Sequence, residues 1–220
     1  MKEHSHQGPA IRPQPSPLRR MPNQRRSRER VENILRCAVA LIAKNGSDAL
    51  RMSDLAKAAG ISIGSLYQYF PDKGAVIQTL AERYNVESRA CIENGIGDVG
   101  TASELLDAFG ALIDDYYEIF LADPVMRDVW SGTQADKALR DIELDASRAS
   151  AGILADVLAH LGSVADTEEL AATAFVIMHL GEATMRLAIS VEKAEGERLV
   201  AAYKRMALAE LRRIMDCVAV

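Results

Sequence analysis

Ser53-Asp54-Leu55-Ala56-Lys57-Ala58-Ala59-Gly60-Ile61-Ser62-Ile63-Gly64-Ser65-Leu66-Tyr67-Gln68-Tyr69-Phe70 is the stretch that decides the fold. It reads as two short helices with a tight break between them. Ser53 suits an N-cap, because its hydroxyl can accept from a backbone N–H of the first turn. Leu55, Ala56 and Ala59 fall on one face at helical spacing. Gly60 offers the left-handed conformation that ends a helix without a Cβ penalty. Ser62 can cap the second helix, which buries Leu66 and Phe70 and turns Ser65, Gln68 and Tyr69 elsewhere. Small residues at Ala56, Ala59 and Gly60 let the two helices cross closely. This is the helix-turn-helix layout, whose second helix lies in a DNA major groove.

The segment resembles the DNA-binding domain of TetR-family transcriptional repressors. The matching residues are the run from Ala38 to Gly46, Ser53 with Ala59-Gly60-Ile61-Ser62, and above all Gly64-Ser65-Leu66-Tyr67-Gln68-Tyr69-Phe70-Pro71-Asp72-Lys73. A generic helix-turn-helix would not share the aromatic pair, the Phe and the following Lys. The resemblance covers roughly residues 28–84, and beyond them only helical architecture matches. Gly74 departs from the pattern, since relatives usually carry Glu there, and it loosens the start of the next helix. The implied fold is all-α: an N-terminal three-helix helix-turn-helix domain and a C-terminal helical ligand-binding and dimerisation domain. The expected bounds are a disordered basic tail over 1–27, the DNA-binding domain over 28–84 and the second domain over 85–220.

Net charge is −5, which suits a DNA binder only once it is divided along the chain. Residues 1–84 carry 14 Lys and Arg against 7 Asp and Glu, and the remainder carries 12 against 24. A basic N-terminal part can attract phosphate while the acidic remainder faces solvent. Hydrophobic content of 49% can fill a core, and the apolar runs are too short and too often interrupted by charge to span a membrane. The start, Met1-Lys2-Glu3-His4-Ser5-His6, has no apolar h-region. Cys37, Cys91 and Cys217 are odd in number and lack metal spacing, so a cytoplasmic protein with reduced thiols is expected.

Residues 1–27 are rich in Pro, Arg, Gln and Ser, a composition that buries nothing. Arg19, Arg20, Arg25, Arg26 and Arg28 suit either an arm reaching DNA or a solubilising leader. Helix one is expected over about 28–45, with Val31, Ile34, Leu35, Ala38, Leu41 and Ile42 inward. A fourth helix follows Pro71-Asp72 to about Asn94. Ser103 is the expected cap of the next, to about Ala122. A helix from about Asp136 to Leu161 puts Leu139, Ile142, Ala146, Ala149, Ile153 and Val157 on one face. A long helix from about Thr167 to Lys193 has two apolar faces, Gly196 breaks it, and a last helix follows.

Helix three carries the DNA chemistry. Ser62 and Ser65 are short donors for phosphate or base edges, Gln68 can read adenine bidentately, and Tyr69 can stack on a sugar or meet a thymine methyl. The resemblance implies that Tyr67 and Lys73 contact phosphate. Lys73 also sits by the first turn of helix four, whose N–H groups favour anions. Ser53 can donate to a second phosphate. Each has a plainer reading: Tyr67 as a core aromatic, Lys73 as a solvated lysine.

A double-stranded operator read as two half-sites calls for a homodimer with its reading helices about 34–36 Å apart. The last two helices are the candidates for pairing, through small residues such as Gly181 and through Leu211, Ile214, Met215 and Val218. For an unidentified small-molecule effector the candidate ligand-binding residues are Phe109, Tyr116, Phe120, Trp130, Phe175, Met178, His179 and Glu182. Any one of these is equally well explained as core. His179 and Glu182 lie one turn apart. No catalytic set, metal-ligand spacing or phosphate loop is present, so no enzyme activity, metal or cofactor is expected. The alternative to an effector-released repressor is an architectural DNA-binding protein without a ligand.

Overall fold

The computed structural model describes residues 25–123, 125–126, 128–129, 137–163 and 165–216. Its elements are helices throughout: α1 (Arg25–Asn45), α2 (Met52–Ala58), α3 (Ile63–Tyr69), α4 (Lys73–Ile96), α5 (Ala102–Ala122), α6 (Lys137–His160), α7 (Thr167–Ala188) and α8 (Lys193–Asp216). Among the described residues no helix is long and apolar enough to cross a membrane.

Two cores form. In the first, α1 turns Val31, Ile34, Leu35, Ala38 and Ile42 against Leu55 and Ala56 of α2, Leu66 of α3, Phe70, and Val76 and Leu80 of α4. Val125, Val129 and Leu139 close over this head from the second half of the chain. In the second, α5 to α8 pack on Ile92 and Ile96, at the far end of α4.

The break between α2 and α3 follows from Gly60, at φ +66°. Gly60 N–H donates to Lys57 O (3.2 Å) and Ile61 N–H to Ala56 O (3.0 Å). This is the paired closure that a left-handed residue after a helix makes available. Ser62 caps α3 as expected, its Oγ accepting from Ser65 N at 3.1 Å.

Several local expectations are corrected. α1 begins at Arg25 rather than near 28, and the Arg25–Glu29 pair at 2.8 Å supports the added turn. The remainder of the expected disordered tail, with Arg19 and Arg20, lies outside the described residues. Ser53 does not cap α2; the helix starts one residue earlier behind Arg51, which supplies no side-chain cap. Thr101, not Ser103, caps α5, accepting from Glu104 N at 3.2 Å while Glu104 accepts from Gly100 N at 2.8 Å.

The inward face of α6 is rotated from the apolar stripe. Leu139, Glu143, Ser147, Ser150, Ala151, Leu154 and Leu158 are the buried residues, while Ile142, Ala146, Ala149, Ile153 and Val157 are only partly covered. Counting apolar residues misses this because three of the inward positions are polar.

Gly196 does not break a helix. α7 ends at Ala188, and Gly196 lies in the first turn of α8. A Cβ there would sit 2.4 Å from Ala188 O and 2.7 Å from Tyr117 Oη. The glycine thus lets the α7–α8 corner close on α5. Gly196→Ala should destabilise the fold by about 1–3 kcal/mol, because a backbone carbonyl cannot rotate away as a side chain can. Urea or thermal unfolding would show it, and an unchanged midpoint would mean that the corner has slack.

Candidate DNA-reading surface and effector cavity

The outer face of α3 presents Ile63 (43% exposed), Tyr67 (40% exposed) and Gln68 to solvent, with Ser65 half-buried. Leu66 and Phe70 hold the inner face. Tyr67 is therefore no core aromatic. Tyr69 goes the other way: it is 5% exposed, and its hydroxyl lies 3.5 Å from Ser27 Oγ of α1. It lies three residues beyond Leu66 and shares that helical face. The structure thus does not bring Tyr69 to the reading surface with Gln68.

Ser53 is exposed in the first turn of α2. Lys73 opens α4, its Nζ donating to Asp48 O at 3.2 Å. The expected anion-binding helix start is partly taken, because Asp72 Oδ1 accepts from Ala75 N at 2.9 Å. Ser62 Oγ is likewise committed as an acceptor, which leaves its hydroxyl hydrogen for a phosphate. Ile63 was not legible as a site residue, since an apolar side chain carries no contact signal until its exposure is known.

The second core contains a cavity of about 40 Å³, room for a few water molecules. Phe109, Tyr116, Met178 and Glu182, four of the expected ligand residues, line it. Ile92 of α4, Leu112, Ile113, Gly181, Met185 and Tyr203 complete the lining. Phe120 is core, with its ring 5.2 Å from that of Tyr116. Phe175 and His179 stack on each other at 5.8 Å, and Arg148 lies 5.7 Å over the Phe175 ring, so this pair belongs to the α6–α7 seam rather than the cavity wall. Trp130 lies outside the described residues.

Behind the cavity, α6 and α7 share a polar cluster. Ser147 donates to Glu182 Oε2 at 2.7 Å, and its Oγ is 3.2 Å from His179 Nδ1. Arg186 pairs with Glu143 at 2.6 Å, with the Glu143 side chain 4% exposed. Ligand atoms of Glu143, His179 and Glu182 come within 4.8 Å of one another. No spacing along the chain announces this group, because Glu143 and Ser147 come from a different helix. Burial, first of all, pushes the Glu182 carboxyl up to about 7, and Glu143 adds to the rise, while Ser147 and Arg186 oppose it. Burial also raises the Tyr116 and Tyr203 phenols far above their ordinary range, so both stay neutral. Their hydroxyls donate to Ser88 Oγ and to Ile177 O.

Residues 34–80 match the model of bacterial regulatory proteins of the tetR family, and residues 103–215 match the tetracyclin repressor-like C-terminal domain. The chain belongs to the TetR family of transcriptional regulators. It is similar to the HTH-type transcriptional repressor KstR of Rhodococcus jostii, with 36% identity over 64 residues, 28% of this chain and 30% of that one. It is also similar to the nucleoid occlusion factor SlmA of Haemophilus ducreyi, with 37% identity over 68 residues, 30% of this chain and 33% of that one. The matched segments thus span about a third of these curated relatives. In fold it resembles the transcriptional regulator FadR from Bacillus subtilis, solved in complex with stearoyl-CoA, with a TM-score of 0.57 and 21% identity over 82% of this chain and 96% of that one.

The raised pKa of Glu182 has a measurable consequence. An unfolded glutamate titrates near 4.5 and the folded one near 7. Between these values the folded state keeps a proton that the unfolded state has shed. Stability therefore falls as pH rises through this window and stays reduced above it. Glu182→Gln should remove that part of the slope, worth up to about 3 kcal/mol. Urea unfolding of both proteins at pH 5 and pH 8 checks it; parallel pH profiles would assign Glu182 an ordinary acidity.

Proposed function

We propose that this TetR-family regulator is a homodimeric repressor that leaves its operator when a small effector enters the cavity between α4, α5, α7 and α8. The observation that carries the reading is the double use of α7. Its inner face gives Met178, Gly181, Glu182 and Met185 to the cavity wall. Its outer face exposes Val176, Leu180 and Leu187, beside Met206 of α8. An exposed apolar face of this kind needs a partner. A second copy, related by a two-fold axis, would bury it as a bundle of two α7 and two α8 helices.

An effector that widens the cavity displaces α7 within that interface and α4 at Ile92. The other end of α4 begins at Lys73, beside α3, about 30 Å from Ile92 along a continuous helix. The spacing of the two reading heads then changes, and with it the fit to half-sites. Relatives lend the reading support: KstR is named a repressor, and the FadR structure carries an acyl-CoA. The architectural alternative draws on the small size of the cavity and on the similarity to SlmA. Genomic footprinting to find the operator, followed by a metabolite screen against that DNA, tests the proposal. A screen in which nothing releases the operator would favour the alternative.

On the DNA side, Tyr67 and Lys73 supply phosphate contacts, with Ser53, Ser62 and Ser65 adding donors. Gln68 reads a base and Ile63 meets a thymine methyl. Gln68→Ala should relax base choice at one position per half-site by about 1–3 kcal/mol. Lys73→Ala should weaken binding to every sequence and flatten the salt slope by about one unit for each phosphate no longer neutralised. Titrations at several salt concentrations separate the two, and an unaltered slope for Lys73→Ala would reassign that lysine to its Asp48 contact alone.

The pairing residues move outward from those the sequence suggested. Leu211, Ile214 and Met215 are buried in the subunit core, Gly181 faces Tyr203 of its own chain, and Val218 lies outside the described residues. Leu180→Glu or Met206→Glu should therefore yield folded monomers with much weaker operator binding. Sedimentation measures the mass, and variants that still dimerise would place the interface elsewhere.

A further inference from the structure

Glu182 stands between two surroundings. On one side it touches the α6–α7 cluster; on the other it lines the cavity. The cluster holds two carboxylates, Glu143 and Glu182, and one guanidinium, Arg186, closed onto Glu143 at 2.6 Å. The carboxylates outnumber the guanidinium by one, His179 completes the cluster beside Ser147, and it is the Glu182 carboxylate that lines the cavity. Among the described lining residues there is no Lys, Arg or His, and Glu182 is the one carboxylic acid. Phe109, Leu112, Ile113, Met178 and Met185 form an apolar wall, and the two tyrosine hydroxyls are already engaged with protein oxygens.

We propose that the effector is an organic ammonium: a compact apolar or aromatic body bearing one protonated amine that pairs with the Glu182 carboxylate. This rests on the effector reading above and narrows its chemistry. An ammonium supplies Glu182 with a counter-charge on the cavity side, where the described lining residues offer none, and a charge-assisted hydrogen bond is stronger in a dry site than in water. A carboxylate or phosphate would enter without a counter-charge and face Glu182. A divalent cation held by Glu143, His179 and Glu182 is the competing occupant. Arg186 already lies on Glu143, and Ser147 bridges His179 to Glu182, so that side of the carboxylate is taken. The cavity must widen to admit a ring, and Met178 and Met185, flexible and unbranched, are placed to move.

The full chain, titrated calorimetrically with 2-phenylethylamine, 2-phenylethanol and phenylacetate at pH 7.5, tests this. The amine should bind about tenfold or more tightly than the alcohol, and phenylacetate more weakly than either. In Glu182→Gln the amine should lose its advantage over the alcohol. If that variant does not fold, the order of the three probes on the unaltered protein decides alone. Phenylacetate binding as tightly as the amine, or an amine advantage that survives in Glu182→Gln, would overturn the proposal. So would zinc alone raising the melting temperature of the unaltered protein but not of His179→Ala, with no amine preference. Operator release by the alcohol as readily as by the amine would remove the charge preference and leave the effector reading standing. If no probe of any charge binds, the ammonium proposal falls, while the effector reading is decided by the operator-release screen.

Discussion

α4 belongs to both hydrophobic cores at once. Its first turns bury Ala75, Val76, Ile77, Leu80 and Ala81 in the head, and its last turns bury Ile92 and Ile96 in the second core. Tyr84, midway along, packs against both, and its hydroxyl donates to Asp123 at the end of α5. A continuous hydrogen-bonded helix resists bending between these anchors, because each turn it opened would strand backbone groups. The head therefore cannot shift against the second core without moving α4 as a rod. The segment around Val125 and Val129 adds a second tie, with Ser47 donating to Asp128 O at 3.2 Å.

The interior of the second domain tolerates charge only where it is compensated. Placing Glu143 and Glu182 under α6 and α7 costs desolvation, which the Arg186 pair and the Ser147 hydroxyl offset in part. Burial still wins at Glu182, whose pKa is raised. A plain structural core would fill those positions with apolar side chains at no such cost. Retaining acids there fits a wall that has to recognise something as well as hold the fold.

The outer face of α7 raises the opposite problem, apolar surface without cover. Val176 and Leu187 are each more than half exposed, and Met206 of α8 is 67% exposed. Val176, Leu180 and Met206 border a groove of about 430 Å³ between the two helices. Covering it with a second copy would put the cavity wall and the subunit interface on one helix. A sub-ångström shift inward would then be felt outward, since packed helices slide rather than deform.

Much of this was legible before any tertiary contact was known. Local rules suffice for the helix-turn-helix: Gly60 needs a left-handed turn, Ser62 caps the helix behind it, and Leu66 and Phe70 recur on one side. The helical character of everything after Pro71 follows from period and from the lack of alternating runs. Helix phase alone turned Gln68 away from Leu66 and Phe70, while Tyr67 and Lys73 entered as candidates through the family resemblance. What pattern could not reach was decided by neighbours distant in sequence. Tyr69 is buried in the head core, with Ser27 of α1 at its hydroxyl, and Ile63 is left 43% exposed. α6 turned Glu143 and Ser147 inward, against its apolar stripe, because partners on α7 satisfied them. Leu211 went into the core while Leu180 stayed outside, although both are leucines on amphipathic helices. Periodicity marks which residues share a face, but which face is covered depends on what packs against it, and that is settled only when the helices meet.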